Sequence, residues 1–162
     1  MPEENKPITE TVVGVISDTH GLLRPEALDA LRGSHLILHA GDVGTSSVLD
    51  ALTAIAPVVA VRGNVDQDRW ADTLPVTTTV EVGETTLYLL HDVGQLDLKP
   101  EAVGFSVVVF GHSHKPLSEM RGGVLFFNPG SAGPRRFKLP ISVGRLRVRG
   151  TEIVPELLTL VG

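Results

Sequence analysis

The sequence predicts an α/β fold, and two observations support this prediction. Through the first third of the chain, short β-branched runs alternate with segments that have the Leu and Ala spacing of helices, the pattern of a parallel sheet with crossover helices. Farther along, strand-like runs separated by turn residues predominate. A length of 162 residues suits one domain with its own core. We expect this single domain to span residues 11–162, after a flexible polar tail over residues 1–10.

The first part of the chain contains five predicted elements. Strands are expected over residues 11–17, 35–40 and 57–61, and helices over residues 25–31 and 46–55. The β-branched residues of the first three runs favour strands. Apolar residues three or four positions apart in the other two favour helices.

The second part is predicted to consist mainly of strands. Two of its runs flank Gly83 and Glu84 in the manner of a hairpin. A short helix is expected over residues 96–103. The expected strands cover residues 77–82, 85–90, 106–110, 124–127, 141–148 and 151–158.

Composition excludes several kinds of partner and site. The net charge is −5 and the 14 Lys and Arg are scattered, so we do not expect long duplex nucleic acid as a partner. Because there is no Cys, a metal would need oxygen and nitrogen ligands. No apolar run reaches the roughly 18 residues of a membrane span, and the first ten residues lack the plan of a signal peptide. We therefore expect a cytoplasmic protein that does not enter a membrane.

Polar residues able to bind metal ions follow the predicted strands directly. Because the loops at the carboxyl ends of parallel strands meet at one edge of a sheet, we expect these side chains to converge. They are Asp18, His20, Asp42, Asn64, His91, His112 and His114.

Each of these residues alone has an ordinary structural explanation. An Asp after a strand is commonly a helix N-cap or a turn former. An isolated His such as His91 is commonly packed or at the surface, and Asn64 in RGNVD would suit a turn. The pair His112 and His114 is harder to explain in this way, because alternate positions of extended backbone share one side. Five such coincidences at five strand ends favour a shared site.

A two-metal centre would explain this set of side chains. Two divalent cations about 3.5–4 Å apart can hold the attacking and leaving oxygens of a phosphoryl group, and they lower the pKa of bound water so that hydroxide is available as the nucleophile. Imidazole and carboxylate ligands favour manganese, iron, zinc or nickel. A carboxylate between the ions would reduce their repulsion, and Asp42 is the candidate for this position. No side-chain nucleophile is then needed.

The ordered motifs resemble those of the calcineurin-like metallophosphoesterases over nearly the whole chain after the tail. The matching segments are SDTHG at 17–21, GDVG at 41–44, GNVD at 63–66, LHD at 90–92 and GHSH at 111–114. NPGS at 128–131 also resembles a turn of the small bacterial and archaeal members and of their relative, the eukaryotic retromer scaffold subunit. The resemblance implies an α/β four-layer αββα sandwich of two mixed β-sheets, with the metal centre at one edge.

The resemblance also implies a role for each candidate ligand. Asp42 would bridge the two ions, and Asp42 and Asn64 are the candidate catalytic residues. One ion would be bound by Asp18, His20 and His114, and the other by Asn64, His91 and His112. Two manganese ions are the expected cofactors, with nickel, iron and zinc as alternatives.

Two positions depart from the family pattern. Many members have His directly after the motif Asn, where it would protonate the leaving group, but this chain has Val65, which cannot donate a proton. The difference favours phosphodiesters and activated esters over alkyl monoesters as substrates. Asp92 follows His91 where the small members usually have Gly. It either orients a ligand or faces solvent, and the second is favoured.

Four further residues have less specific signals. His39 lies within an apolar run, and strand alternation predicts that it points away from the ligands and makes a structural hydrogen bond. His35 is expected at the surface. Arg135 and Arg136 would suit a substrate phosphate, but adjacent Arg on a loop are commonly solvated, and we do not include them in the site.

The leading functional hypothesis is metal-dependent hydrolysis of small phosphodiesters, with cyclic nucleotides as one candidate. A protein-interaction scaffold is the main alternative, because the retromer relative works through protein contacts, but all seven positions retain side chains able to bind metal. A low-activity phosphomonoesterase is a third hypothesis. Motif spacing does not predict the substrate-binding residues. The resemblance favours a homodimer or homotetramer.

Overall fold

The computed structural model describes residues 9–161, which form two five-stranded β-sheets with two short α-helices. The helices are α1 (Pro25–Leu31) and α2 (Ser46–Thr53). The strands are β1 (Glu10–Ile16), β2 (Leu36–His39), β3 (Val58–Ala60), β4 (Thr77–Val82), β5 (Thr85–Leu90), β6 (Val107–Val109), β7 (Leu117–Arg121), β8 (Val124–Asn128), β9 (Ile141–Arg149) and β10 (Glu152–Val161).

Both sheets contain parallel and antiparallel pairs. The first sheet has the order β10-β9-β1-β2-β3, in which β1, β2 and β3 are parallel and β9 is antiparallel to β1 and β10. The second sheet has the order β4-β5-β6-β8-β7. Its central strands β5, β6 and β8 are parallel, and the edge strands β4 and β7 are antiparallel to their neighbours. The predicted pair of mixed sheets is confirmed.

Local sequence explains where several elements begin and turn. Pro25 is the first residue of α1, where its fixed φ and missing N–H suit the helix. Gly83 adopts a φ of 59° in the turn between β4 and β5, next to the paired residues Val82 and Thr85. The predicted hairpin is therefore confirmed.

Alternation of apolar side chains along the strands builds a core between the two sheets. Val13 and Val15 of β1, Leu87 and Leu89 of β5, and Phe127 of β8 are fully buried in it. The opposite face of the first sheet packs against α1 and α2 in a second apolar cluster. The parallel strands thus have both faces covered, as parallel sheets require.

An irregular segment covers the outer face of the second sheet. Tyr88 and Leu90 of β5 lie on this face, and Leu96, Leu98 and Phe105 pack against the cluster that they belong to. The rings of Tyr88 and Phe105 are stacked, with centroids 5.0 Å apart. This segment is the fourth layer of the sandwich, so the predicted fold class is confirmed.

The predicted helix over residues 96–103 is wrong. A 3-10 turn at Val93–Gln95 is followed by further turns, because Pro100 lacks the amide hydrogen that a helix interior needs and would clash with the preceding turn. Strand β7 and a 3-10 turn at Arg69–Thr73 are absent from the sequence prediction, since neither segment has an apolar periodicity. Residues 1–8 of the predicted tail lie outside the described residues, whereas Glu10 begins β1.

None of the helices within residues 9–161 is long and apolar enough to cross a membrane.

Candidate metal centre

All seven candidate ligands lie in loops at the carboxyl ends of parallel strands. The loops after β1, β2 and β3 belong to the first sheet, and those after β5 and β6 belong to the second. They carry, in that order, Asp18 with His20, Asp42, Asn64, His91, and His112 with His114. The candidate site therefore lies where the ends of the two sheets meet.

Six of the seven side chains form two groups, each with three ligand atoms within 4.8 Å of one another. The first triad is Asp18, His20 and His114, and the second triad is Asp42, His91 and His112. Each triad contains a pair of imidazoles. The ring centroids are 5.4 Å apart in the first pair and 5.2 Å apart in the second.

Contacts between carboxylates and imidazoles connect the two triads. His91 Nε2 lies 3.1 Å from Asp42 Oδ2 and 3.8 Å from Asp18 Oδ1. His20 Nε2 lies 3.7 Å from Asp42 Oδ2 and 3.9 Å from Asp18 Oδ1. Both imidazoles are therefore close to a carboxylate from each triad, and the two triads make one site.

Each carboxylate has one oxygen held by the protein and one oxygen near the imidazoles. Oδ2 of Asp18 accepts hydrogen bonds from Ser17 Oγ at 2.8 Å and from the backbone N–H of His112 at 3.1 Å. Oδ1 of Asp42 accepts the backbone N–H of Val65 at 3.0 Å. These bonds fix the direction of Asp18 Oδ1 and Asp42 Oδ2, the two oxygens available to a metal.

A hydrogen bond at Nδ1 sets the tautomer of His91. Its Nδ1 lies 2.7 Å from the carbonyl oxygen of Ala40, which can only accept, so Nδ1 carries the hydrogen and Nε2 offers a lone pair to the site. Burial lowers the pKa of His91, but the contact with Asp42 and the charge of Asp18 outweigh burial and raise it above the usual value. A metal ion bound there therefore competes with a proton.

The two carboxylates are ionised at neutral pH. Burial raises the pKa of Asp42, but His91 and the hydrogen bond from Val65 outweigh burial and lower it to about 2. Burial also raises the pKa of Asp18, but His114, His91 and the hydrogen bond from Ser17 together lower it by more. For His20, burial lowers the pKa, and the two carboxylates offset only part of that effect. Ionised carboxylates and a neutral imidazole are the forms that bind metal ions.

Buried polar atoms without hydrogen bonds show that the site fits metal ions. Within the described residues there are five such side-chain atoms, and four of them belong to the triads: Asp18 Oδ1, His20 Nε2, His91 Nε2 and His114 Nδ1. An unsatisfied buried polar group costs about 1–3 kcal/mol, so a folded protein rarely leaves several together. Asp18 Oδ1, His20 Nε2 and His91 Nε2 face one another across the two triads, and divalent metal ions with mixed oxygen and nitrogen ligands match these atoms.

The backbone is strained at most of the candidate ligands. Six non-glycine residues have a positive φ in the described part of the chain. Five of them are candidate ligands: Asp18 (56°), His20 (48°), Asp42 (56°), His112 (73°) and His114 (64°). Left-handed backbone costs about 1–2 kcal/mol per residue, and such strain concentrates at functional sites. The fold therefore holds these side chains in directions that relaxed backbone would not give.

Asn64 lies at the border of this site. Its side chain is exposed, and together with His91 it lines a cavity of about 440 Å³ beside the second triad. The structure thus brings six of the seven predicted residues within contact distance and places Asn64 next to them. Their roles as ligands stay predictions.

Asp66 supports the site and was not among the predicted site residues. It is 2% exposed. Its carboxylate accepts three backbone hydrogen bonds of 3.0–3.1 Å, from Val43, Gly44 and Gly63. Asp66 therefore ties the loop after β2 to the loop after β3. Its position as the last residue of GNVD was the available sequence signal.

The NPGS turn supports the loops that carry the first triad. Ser131 Oγ donates a hydrogen bond to the carbonyl oxygen of Asp18 at 3.1 Å. Asn128 Nδ2 donates to the carbonyl oxygen of Gly111 at 3.2 Å and to Ser113 Oγ at 3.1 Å. The turn thus holds the loop after β1 and the loop after β6 in place, a role that its sequence alone did not indicate.

His39 makes structural hydrogen bonds, as the sequence predicts. Its fully buried ring accepts the N–H of Gly41 at Nδ1 and donates from Nε2 to Thr19 Oγ1, both at 3.1 Å. Asp92 accepts the N–H of Gly94 at 2.9 Å. It is half-buried and caps the 3-10 turn, a role that the sequence did not predict.

His35, Arg135 and Arg136 are exposed, as expected of surface residues. His35 Nδ1 accepts a hydrogen bond from the backbone N–H of Val12 at 2.9 Å.

Known proteins share this fold and this sequence pattern. Residues 12–151 match the calcineurin-like phosphoesterase superfamily domain. A probable metallophosphoesterase of Methanothermobacter thermautotrophicus is 35% identical over 159 residues, with 91% of each chain covered. Phosphodiesterase YfcE of Escherichia coli is 32% identical over 155 residues, which cover 80% of this chain and 84% of YfcE. The crystal structure of a Vps29 single mutant from Entamoeba histolytica has a TM-score of 0.75 at 25% identity and covers 90% of each chain.

The family match and the two triads indicate a metal-dependent phosphoester hydrolase. This chain belongs to the calcineurin-like phosphoesterase superfamily.

Proposed function

We propose that this member of the superfamily is a phosphodiesterase that binds two divalent metal ions. The observation that supports two ions is the pair of connected triads. His20 Nε2 and His91 Nε2 each lie within 3.9 Å of Asp18 Oδ1, which belongs to the first triad, and of Asp42 Oδ2, which belongs to the second. A single ion would need only one group of three ligands, whereas two adjoining groups suit a pair.

The ligand assignment follows the two triads. Asp42 Oδ2 lies near an imidazole of each triad, which supports Asp42 as the bridging ligand. One ion would be bound by Asp18, His20 and His114, and the other by Asn64, His91 and His112. Mixed oxygen and nitrogen ligands favour manganese, with nickel, iron and zinc as alternatives.

The reaction is hydrolysis of one ester bond of a phosphodiester. When bound, the two ions would hold the phosphoryl oxygens and make a water molecule more acidic. The water oxygen forms a bond to phosphorus and releases a proton to solvent, while the bond from phosphorus to one ester oxygen breaks. That oxygen takes up a proton and leaves as an alcohol, and a phosphomonoester remains. Asn64, at the cavity, would donate a hydrogen bond to a phosphoryl oxygen, and Asp42 would hold both ions.

The residue after Asn64 supports a diester as the substrate. Val65 is 50% exposed and carries no proton that could be given to a leaving group. A diester with a good leaving group depends less on such a donor than an alkyl monoester does. Relatives named phosphodiesterase cover most of this chain, which supports the same class of substrate.

The two alternative functions have weaker support. A protein-interaction scaffold does not require six side chains arranged with four unpaired buried atoms. A phosphomonoesterase would benefit from a proton donor at the position of Val65. Cytoplasmic localisation and a homodimeric or homotetrameric state stay predictions.

Hydrolysis assays with defined metals test the proposed function. Protein stripped of metal is given Mn²⁺, Ni²⁺, Zn²⁺ or Mg²⁺ and assayed with bis(p-nitrophenyl) phosphate beside p-nitrophenyl phosphate. We expect metal-restored hydrolysis that favours the diester. Preference for the monoester would contradict the diesterase, and no turnover by folded protein that binds two ions would favour the scaffold.

Metal stoichiometry tests the bridging role. We expect Asp42→Ala to lose both ions, measured by elemental analysis of the dialysed protein. The matched control is Asp50→Ala, at an exposed position of α2, which should retain both. Full retention of two ions by Asp42→Ala would exclude Asp42 as the bridge.

A further inference from the structure

The cavity beside the second triad is lined mostly by residues that are not candidate metal ligands. It measures about 440 Å³, within the range of small-molecule sites. His91 and Asn64 form the side next to the metal centre. Arg62, Tyr88, Gln95 and Asp97 also line it. A phosphoryl group at the metal centre would therefore have one of its ester arms at this cavity.

The sheet beneath holds the polar wall in place. Leu96 and Leu98 pack on the outer face of the second sheet, and the residues next to Leu96 in the chain, Gln95 and Asp97, line the cavity. Tyr88, which also lines the cavity, is 8% exposed, and its ring stacks on Phe105. The irregular fourth layer, which packs on the second sheet, therefore forms one side of the cavity.

The charges at the cavity restrict what the ester arm can be. Asp92 and Asp97 line it, so an anionic arm would be repelled. Arg62 also lines it, with NH1 3.8 Å from Asp72 Oδ1, so the lining carries charges of both signs. Carboxylate, amide and phenol oxygens accept hydrogen bonds, and guanidinium, amide and phenol groups donate them. Hydroxyl groups can satisfy both kinds.

We propose that this cavity binds an uncharged, hydroxylated ester arm of the substrate, such as a glyceryl or sugar group, and that Asp97 and Gln95 are specificity-determining residues. The inference rests on the proposed phosphodiesterase activity, since it assigns a substrate class to the same site. Asp97 accepts hydrogen bonds from the hydroxyl groups of the arm. Asp92 contributes mainly charge, because one of its oxygens already accepts the N–H of Gly94.

Binding of small phosphate monoesters tests this inference without any turnover. Titration calorimetry on protein loaded with Mn²⁺ compares glycerol 3-phosphate with propyl phosphate, which has the same length without the hydroxyls, and with phosphorylcholine, whose choline arm is cationic. We expect glycerol 3-phosphate to bind about tenfold more tightly than propyl phosphate, the effect of one hydrogen bond to a charged group. In Asp97→Ala this preference should disappear. Asp50→Ala, on the exposed side of α2, is the matched control and should keep it.

Three outcomes would overturn the inference. They are equal binding of glycerol 3-phosphate and propyl phosphate by the wild type, a preference for glycerol 3-phosphate that survives in Asp97→Ala, and tightest binding of phosphorylcholine, which would make the arm cationic. The proposed function has a separate readout, the hydrolysis of bis(p-nitrophenyl) phosphate, which carries no hydroxylated arm. Hydrolysis without the glyceryl preference would reject the inference alone, and the preference without hydrolysis would reject the activity alone.

Discussion

At the scale of single residues, two buried side chains hold the ligand loops without being candidate ligands. Asp66 accepts three backbone N–H groups from the loops after β2 and β3. His39 connects Gly41 to Thr19, whose hydroxyl donates in turn to the carbonyl oxygen of Val43 at 2.7 Å. Such supporting residues orient metal ligands, and their loss typically weakens metal binding.

We expect Asp66→Asn to lower the affinity for Mn²⁺ about 10–100-fold. The substitution keeps the shape but removes the charge and one acceptor oxygen, so at least one of the backbone N–H groups of Val43, Gly44 and Gly63 loses its acceptor. Titration calorimetry measures the effect. Asp68→Asn, two residues farther on and exposed, is the control, and equal affinities for the two variants would show that Asp66 does not position the ligands.

His39 should make the stability of the metal-free protein depend on pH. Burial lowers its pKa from 6.5 to about 4, so the unfolded chain takes up a proton before the folded protein does. The free energy of unfolding therefore falls as the pH falls from about 6.5 to about 4, by about 3 kcal/mol in total. Urea unfolding of wild type and His39→Gln across this range isolates the contribution. Parallel curves for the two proteins would contradict it.

At the scale of elements, the loops after β1 and β6 meet so closely that a glycine is required between them. A Cβ on Gly111 would lie 2.7 Å from Asp18 Oδ2 and closer still to Ser17 Oγ, where the carboxylate accepts its two hydrogen bonds. The end of one sheet thus packs directly on the ligand loop of the other.

Gly111→Ala should displace Asp18 and abolish binding at the first triad, because backbone and a buried carboxylate cannot both keep their places. The expected result is the loss of at least one Mn²⁺ per chain in elemental analysis. Gly104→Ala is the control, since a Cβ there has no neighbour within 4 Å. It should cost only about 1–2 kcal/mol through its positive φ and keep both ions. Full metal content in Gly111→Ala would contradict the close contact.

The same scale shows what sequence could and could not predict. Strands β1, β2, β5 and β6 have β-branched or apolar runs that end at a ligand, so both strand and site residue were predictable. The segment from Leu96 to Val103 has helical spacing, but Pro100 in its interior prevents a helix, and Leu96 and Leu98 pack on the sheet from irregular backbone. The cavity wall arises from that tertiary packing. Asp66 has an ordinary turn sequence around it, and only the backbone of another loop shows its role.

At the scale of the whole molecule, one core joins the two sheets and so fixes the distance between their ligand loops. Phe127 is fully buried in this core and lies against Gly144 of β9, where a Cβ would meet the ring at 2.5 Å. An aromatic residue of the second sheet thus fills a space that glycine leaves in the first.

Phe127→Ala should lower the free energy of unfolding by about 3–5 kcal/mol, because it leaves a large cavity between the sheets. Urea denaturation monitored by circular dichroism measures the change. Phe137→Ala is the matched control, since Phe137 is 92% exposed, and it should shift stability by no more than about 0.5 kcal/mol. A similar small shift for Phe127→Ala would mean that the sheets do not depend on this contact.

The composition of the triads also sets an order of events during folding. In the first triad, Asp18 and His20 follow a strand of the first sheet and His114 follows a strand of the second. In the second triad, Asp42 follows a strand of the first sheet, and His91 and His112 follow strands of the second. A chain with only one sheet formed therefore has no complete triad, and the proposed ions would bind only after the sheets have docked, through contacts of long sequence separation. Ions bound by the two triads as proposed would slow unfolding with little effect on the folding rate, and a chain that held them would have both sheets docked.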